Sequence, residues 1–180
     1  MRIFLTGPRA SGKTTLGKLL ARKLNASFAD TDAVLGAMLG TSIAEYVAQN
    51  GWDAFRAKEH EALVKTTADT EHDDVSVIAT GGGIVLLEEN RTILQSKGIC
   101  LYLKVPVEEM VRRLSASPAA AQRPSLTGRG LCEEVAGVVQ EREPLYLAAS
   151  CHVLDGAKAP SDVCENILNL LIHSDLIKKS

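Results

Sequence analysis

Two periods of apolar spacing alternate along the chain. The run RIFLT at residues 2–6 reads as a short buried strand, and TTLGKLLARKL then sets Leu16, Leu19, Leu20 and Leu24 on one helical face. SFAD at 27–30 reads as a second strand. SIAEYVAQNG opens with a capping box, Ser42 with Glu45, and its terminating residue is Gly51. A helix is expected through WDAFRAKEHEALVKTTA. VSVIATGGG is a β-branched run that ends in three glycines, and ICLYLKV is another buried strand. Between them LLEENRTILQSKG reads as a helix with Gly98 as its stop. VEEMVRRLS is helical again, a further helix is expected from about Leu131 to Ala149, CHVLD reads as a fifth strand, and SDVCENILNLLIHS closes the pattern as an amphipathic helix. Residues 115–130, SASPAAAQRPSLTGRG, are rich in Pro, Ser, Ala and Gly and read as a mobile loop. Strands alternating with helices predict an α/β fold with a mainly parallel five-stranded sheet covered on both faces. No repeat or linker interrupts the pattern, so residues 1–180 are expected to form one domain.

Composition narrows the partners. Hydrophobic residues make up 46 % and charged residues 23 %, as in ordinary globular chains. A formal net charge of −2 offers no basic surface for nucleic acid. Aromatic residues are 4 %, with Trp52 the single tryptophan, so platforms for stacked bases are scarce. These features point to a small acceptor molecule. Cys100, Cys132, Cys151 and Cys164 lie far apart without a C-x-x-C pair, and are expected to be reduced and mostly buried thiols. Neither a secretory leader nor an apolar run of membrane-spanning length is visible, which points to the cytoplasm and away from a membrane.

The chemistry begins at GPRASGKTT. Gly7, Gly12, Lys13 and Thr14 fit the phosphate-cradling pattern G-x-x-x-x-G-K-[ST], and strand, glycine loop and helix follow in the required order. Loop residues Gly7, Pro8, Arg9, Ala10, Ser11 and Gly12 are expected to wrap the phosphates of a nucleotide triphosphate with Lys13, Thr14 and Thr15. Backbone N–H groups at a helix N-terminus, reinforced by the helix dipole, favour that negative charge. Lys13 is expected to reach the β- and γ-phosphates, and the Thr14 hydroxyl to ligate Mg²⁺. Asp30 and Asp32 follow the second strand, at the sheet end where ligands bind. One could orient Mg²⁺ through water while the other accepts a proton; equally, Asp32 could be an ordinary helix N-cap. Arg56 and Glu59 stand at i, i+3, the spacing of a surface ion pair. Gly81, Gly82 and Gly83 leave bare backbone for a close approach. Arg123 lies in the loop and Arg142 on a late helix.

Taken together, GPRASGKTT, DTD, FRAKE, TGGG, QRP and REPLY resemble shikimate kinases in order and spacing, with GPR and RPSLTG closest to the type II branch. The resemblance runs from Ile3 to the segment LDGAKAPSDV, where that family holds adenine. It implies a three-layer P-loop kinase fold, with ATP, Mg²⁺ and the substrate shikimate. It further implies Asp30 near the Mg²⁺ water shell and Asp32 on the shikimate hydroxyls, where it can serve as base. Arg56 and Arg142 would bind the substrate carboxylate, Gly81, Gly82 and Gly83 would contact substrate through N–H groups, and Arg123 would act from a lid at about 115–130. Lys13, Asp32 and Arg123 are then the expected catalytic set, and the chain is expected to work as a monomer. Many members carry Gly where this chain has Ala10, a costly change if that position needs positive φ. The chain also lacks the charged residues that many members carry after the Leu-Tyr pair of REPLY. A kinase for gluconate or quinate is the nearest alternative, and a binding protein without turnover is the alternative from another class. Arg56 and Arg142 with DTD stand against gluconate, and intact Lys13, Thr14, Asp32 and Arg123 stand against a sensor.

Overall fold

In the computed structural model, which describes residues 1–116, 130–174 and 176, five strands form one sheet. They are β1 (Arg2–Thr6), β2 (Ser27–Asp30), β3 (Ser76–Ala79), β4 (Ile99–Lys104) and β5 (His152–Asp155). Their order is β2-β3-β1-β4-β5, and all four pairings are parallel, with Phe4 between Ile78 and Cys100. The helices are α1 (Lys13–Leu24), α2 (Thr31–Leu39), α3 (Ile43–Asp69), α4 (Glu88–Ser96), α5 (Val107–Ser115), α6 (Leu131–Ala149) and α7 (Pro160–His173), and Ile84–Leu86 make a 3-10 turn.

Strand alternation builds three layers. Ile3 and Leu5 point to one face, where Leu16, Leu20, Ile167 and Leu171 of α1 and α7 cover them. Phe4, Ile78 and Tyr102 point to the other, against Leu63, Leu94 and Tyr146 of α3, α4 and α6. Both faces are therefore apolar, as a parallel sheet requires. From β1 the chain moves to one side for β2 and β3 and to the other for β4 and β5. Strand order thus reverses at the carboxyl end of β1, the point where α/β sheets bind ligands.

Some expectations hold and others need correction. The helix opened by the Ser42–Glu45 capping box does end at Gly51 as expected, at a non-helical φ of 81° and ψ of 171°; a second helix follows directly, and α3 covers the two. α4 ends at Ser96 with Lys97 as its cap, so it stops directly before Gly98 as expected; a side chain at Gly98 would also lie 2.5 Å from the Arg2 carbonyl, so glycine lets β1 pass. Asp30, not Asp32, caps α2: its carboxylate accepts the Asp32 N–H at 3.0 Å. All four thiols are free as expected, but only Cys100 and Cys164 are buried, while Cys132 and Cys151 are exposed. The loop expected at 115–130 falls, apart from Ser115, Ala116 and Gly130, outside the described residues, and Arg123 with it.

Candidate active site

The loop from Gly7 to Gly12 turns back over the start of α1 by using three left-handed or glycine-favouring positions: Gly7 at φ 146°, Ala10 at φ 63° and Gly12 at φ 98°. A side chain at Gly7 would sit 2.8 Å from the Leu103 carbonyl, so the loop packs directly on β4. Ala10 does occupy the conformation that glycine adopts freely, at a cost of about 1–2 kcal/mol. Its methyl group packs on a cluster containing Met110, Leu114 and Val135. The Lys13 ammonium lies in the mouth of the loop, donating to the Gly7 and Pro8 carbonyls at 2.8 Å each and to the Ser11 hydroxyl at 3.2 Å. The first turn of α1 holds no acidic residue, which leaves its positive end available to an anion.

Beside this loop the Thr14 hydroxyl donates to Asp30 Oδ2 at 2.7 Å. Asp30 thus holds Thr14 with one oxygen and the backbone of α2 with the other. Asp32, one residue into that helix, borders two adjoining clefts. One is lined by Ala10, Gly12, Lys13, Thr14, Thr15 and Asp30. The other is lined by Arg56, Glu59, Gly83, Arg142, Trp52 and Phe55. Arg9 and Gly82 border both, so the two clefts meet at Arg9, Asp32 and Gly82.

The second cleft collects cations. Arg56 pairs with Glu59, but the pair is largely buried, not the surface bridge that its spacing suggests. The Arg56 guanidinium also lies 5.3 Å from the Trp52 ring and 5.2 Å from the Phe55 ring. Burial pushes the Glu59 carboxyl above the usual carboxylate range, and the Arg56 guanidinium pulls it back. Arg142 is 9 % exposed; its Nη1 donates to the Gly82 carbonyl at 3.3 Å, and its buried Nε has no hydrogen-bond partner among the described residues. A buried guanidinium with an unsatisfied donor is suited to a planar anionic ligand.

The three glycines make room for these charges. A side chain at Gly83 would overlap the Arg56 guanidinium, and one at Gly81 would lie 2.6 Å from Asp32 Oδ1. Gly82 and Gly83 line the cleft, whereas the Gly81 N–H, expected to face substrate, donates to the buried Thr31 hydroxyl at 2.9 Å. Thr31 and Tyr146, which pattern reading passed over, hold the backbone of this glycine run. The Tyr146 hydroxyl donates to the Gly82 carbonyl at 2.5 Å, and burial raises its pKa. Its signal was the spacing from Arg142 to Tyr146, i to i+4, which puts both on one face of α6. Thr31 was signalled only as the middle of DTD. A third cleft runs from Gly12 and Thr15 past Arg113 to Gly156 and Pro160, the segment expected to hold adenine. Among the described residues no cluster of three or more His, Cys, Asp or Glu side chains could hold a metal by itself, and no helix is long and apolar enough to cross a membrane.

A phosphate loop at the switch point of a parallel sheet, opening onto a cleft with buried arginines, defines an ATP-dependent phosphotransferase of the P-loop class. The family model for shikimate kinase matches residues 9–172. A shikimate kinase of Nitratidesulfovibrio vulgaris is 46 % identical over 173 residues, 96 % of this chain and 97 % of that protein. Shikimate kinase 2 of Yersinia enterocolitica is 45 % identical over 169 residues, 94 % of each chain. Among solved structures, a shikimate kinase from Acinetobacter baumannii in complex with shikimate superposes with a TM-score of 0.87 at 29 % identity, covering 98 % of this chain and 95 % of that one. The chain belongs to the shikimate kinase family.

Proposed function

We propose that the protein transfers the γ-phosphate of ATP to the 3-hydroxyl of shikimate, giving shikimate 3-phosphate and ADP. The observation that carries this reading is the junction of the two clefts at Asp32: a phosphate-loop cleft on one side, and on the other the buried Arg142 with the largely buried Arg56. Arg56 and Arg142 hold the acceptor's carboxylate, Gly82 and Gly83 admit its ring, and Asp32 accepts the proton of the attacking hydroxyl. Lys13 leaves the loop carbonyls for the β- and γ-phosphates. Thr14 Oγ1 and Asp30 Oδ2, 2.7 Å apart, form a hard oxygen pair that fits Mg²⁺, which prefers one or two protein oxygens alongside phosphate and water. When bound, that ion neutralises charge on the phosphates. Arg123 is assigned to the transferring phosphate on the sequence resemblance alone. The same proposal makes the enzyme a cytoplasmic monomer of one domain with no nucleic-acid or membrane partner.

Phosphorus NMR of a reaction with ATP, Mg²⁺ and shikimate tests this directly. The expected product carries a phosphomonoester coupled to the proton on carbon 3. Phosphate appearing only as the inorganic ion would overturn the assignment.

A further inference from the structure

We propose that Asn90 and His60 are positioning residues that set the width of the acceptor cleft, by tying the helix that carries Arg56 to the turn that follows Gly83. The inference rests on the kinase reading, since it takes the cleft of Arg56, Arg142, Gly82 and Gly83 as the seat of shikimate.

Asn90 lies on the buried stripe of α4, one turn before Leu94, and is 1 % exposed. A buried amide is costly unless both of its ends are paired. Here its Nδ2 donates to the Ile84 carbonyl at 2.9 Å, and its Oδ1 lies 2.7 Å from His60 Nδ1. The first bond fixes the amide's orientation, because a flipped amide would set its oxygen against the Ile84 carbonyl. Oδ1 is therefore an acceptor, and the His60 Nδ1–H is its donor. His60 follows Glu59 and stands one turn after Arg56, so α3 sets the imidazole together with the Arg56–Glu59 pair. Ile84 follows Gly83 directly, and its N–H donates to the Gly81 carbonyl at 3.2 Å, which makes the turn and the glycine run one hydrogen-bonded piece. Arg91, the next residue of α4, donates to the Val85 and Leu86 carbonyls at 2.7 and 3.1 Å and holds the rest of the turn. On the cleft side, the Arg56 guanidinium lies so close to Gly83 that a side chain there would overlap it. The two walls of the cleft therefore meet at Arg56 and Gly83 and are tied behind that contact by Asn90. An apolar residue would fill this place on the stripe without the desolvation of an amide, so the polar group contributes register, not burial.

The test compares Asn90→Leu, His60→Leu, His60→Asn and His60→Gln with the parent. An asparagine amide nitrogen takes the place of Nδ1 and a glutamine amide nitrogen that of Nε2, so His60→Asn alone restores the donor. KM for shikimate, KM for ATP and kcat are measured by ADP release, shikimate affinity by calorimetry, and melting temperature by circular dichroism. His60→Leu and His60→Gln should raise KM for shikimate and weaken its binding about tenfold, with KM for ATP within about twofold, because Asn90 Oδ1 is left buried without a donor. Asn90→Leu should act in the same direction. His60→Asn should stay within about threefold of the parent, since it keeps the hydrogen bond. The His60 series decides the matter if Asn90→Leu fails to fold. Unchanged KM for shikimate in His60→Leu and His60→Gln, with or without a lower melting temperature, would overturn the inference, since the pair would then serve stability alone. Equal rises in both KM values would overturn it too, as would a His60→Asn variant as impaired as His60→Gln. A parent that turns over ATP but no shikimate would overturn the kinase reading, and the inference with it.

Discussion

Asp30 and Asp32 stand two residues apart on one turn, yet their surroundings assign them different tasks. Asp30 spends both oxygens on the protein, one on the Thr14 hydroxyl and one on the α2 backbone. Asp32 is not the cap, and it borders both clefts. Asp32→Asn should therefore preserve the fold and keep ADP affinity within a few-fold, while kcat falls on the order of 10²–10⁴. Steady-state kinetics with calorimetry check this, and unchanged kcat would remove the base role. At this scale the sequence was informative about identity but not about partnership. Spacing alone left Asp32 open as either a base or a helix cap, because which carboxylate turns back onto the helix depends on the φ and ψ of the strand end. Arg56 and Glu59 were visible as an i, i+3 pair, but their burial was not, since it comes from β3 and its glycines packing over α3.

Elements were more legible than their ends. Periodicity located α6 and the strands because their apolar faces are fixed by the layers that cover them. Glycines were legible only in part. Gly51 and Gly98 both stand where a helix stops, but the close approach of Gly98 to Arg2 leaves no mark in the local pattern. The capping box of α3 was legible in full: the Glu45 N–H donates to the Ser42 hydroxyl at 3.2 Å, and Glu45 Oε2 accepts the Ser42 N–H at 3.0 Å. Donation from the Thr41 and Ser42 hydroxyls, with that N–H, lowers the Glu45 pKa to about 2. A folded pKa below the unfolded value contributes stability above the unfolded pKa, and that contribution is lost as pH falls through the folded one. Glu45→Gln should therefore melt below the parent at neutral pH, with the gap closing as pH falls from about 4.5 towards 2. Melting curves across that range check it; a gap independent of pH would mean that the carboxylate's charge plays no part.

Across the whole molecule, strand order and chemistry coincide. The reversal of strand order at β1 puts the phosphate loop beside the ends of β2 and β3, which deliver Asp32 and the glycines. Arg56 and Arg142 then arrive from α3 and α6 over the same face of the sheet. The order of motifs foretold this convergence, while the tie through Asn90 was invisible because it joins His60 to a main-chain carbonyl, which leaves no mark in side-chain spacing. The central claim is that this geometry selects a hydroxylated carboxylate as phosphate acceptor. The most direct measurement is coupled ADP release with shikimate, shikimate methyl ester, quinate, gluconate and water as acceptors. Shikimate should give the highest kcat/KM, and the ester should fall by on the order of 10² or more, because it leaves the buried guanidinium groups without a charged partner. Turnover with water alone, or an ester used as well as the acid, would contradict the claim.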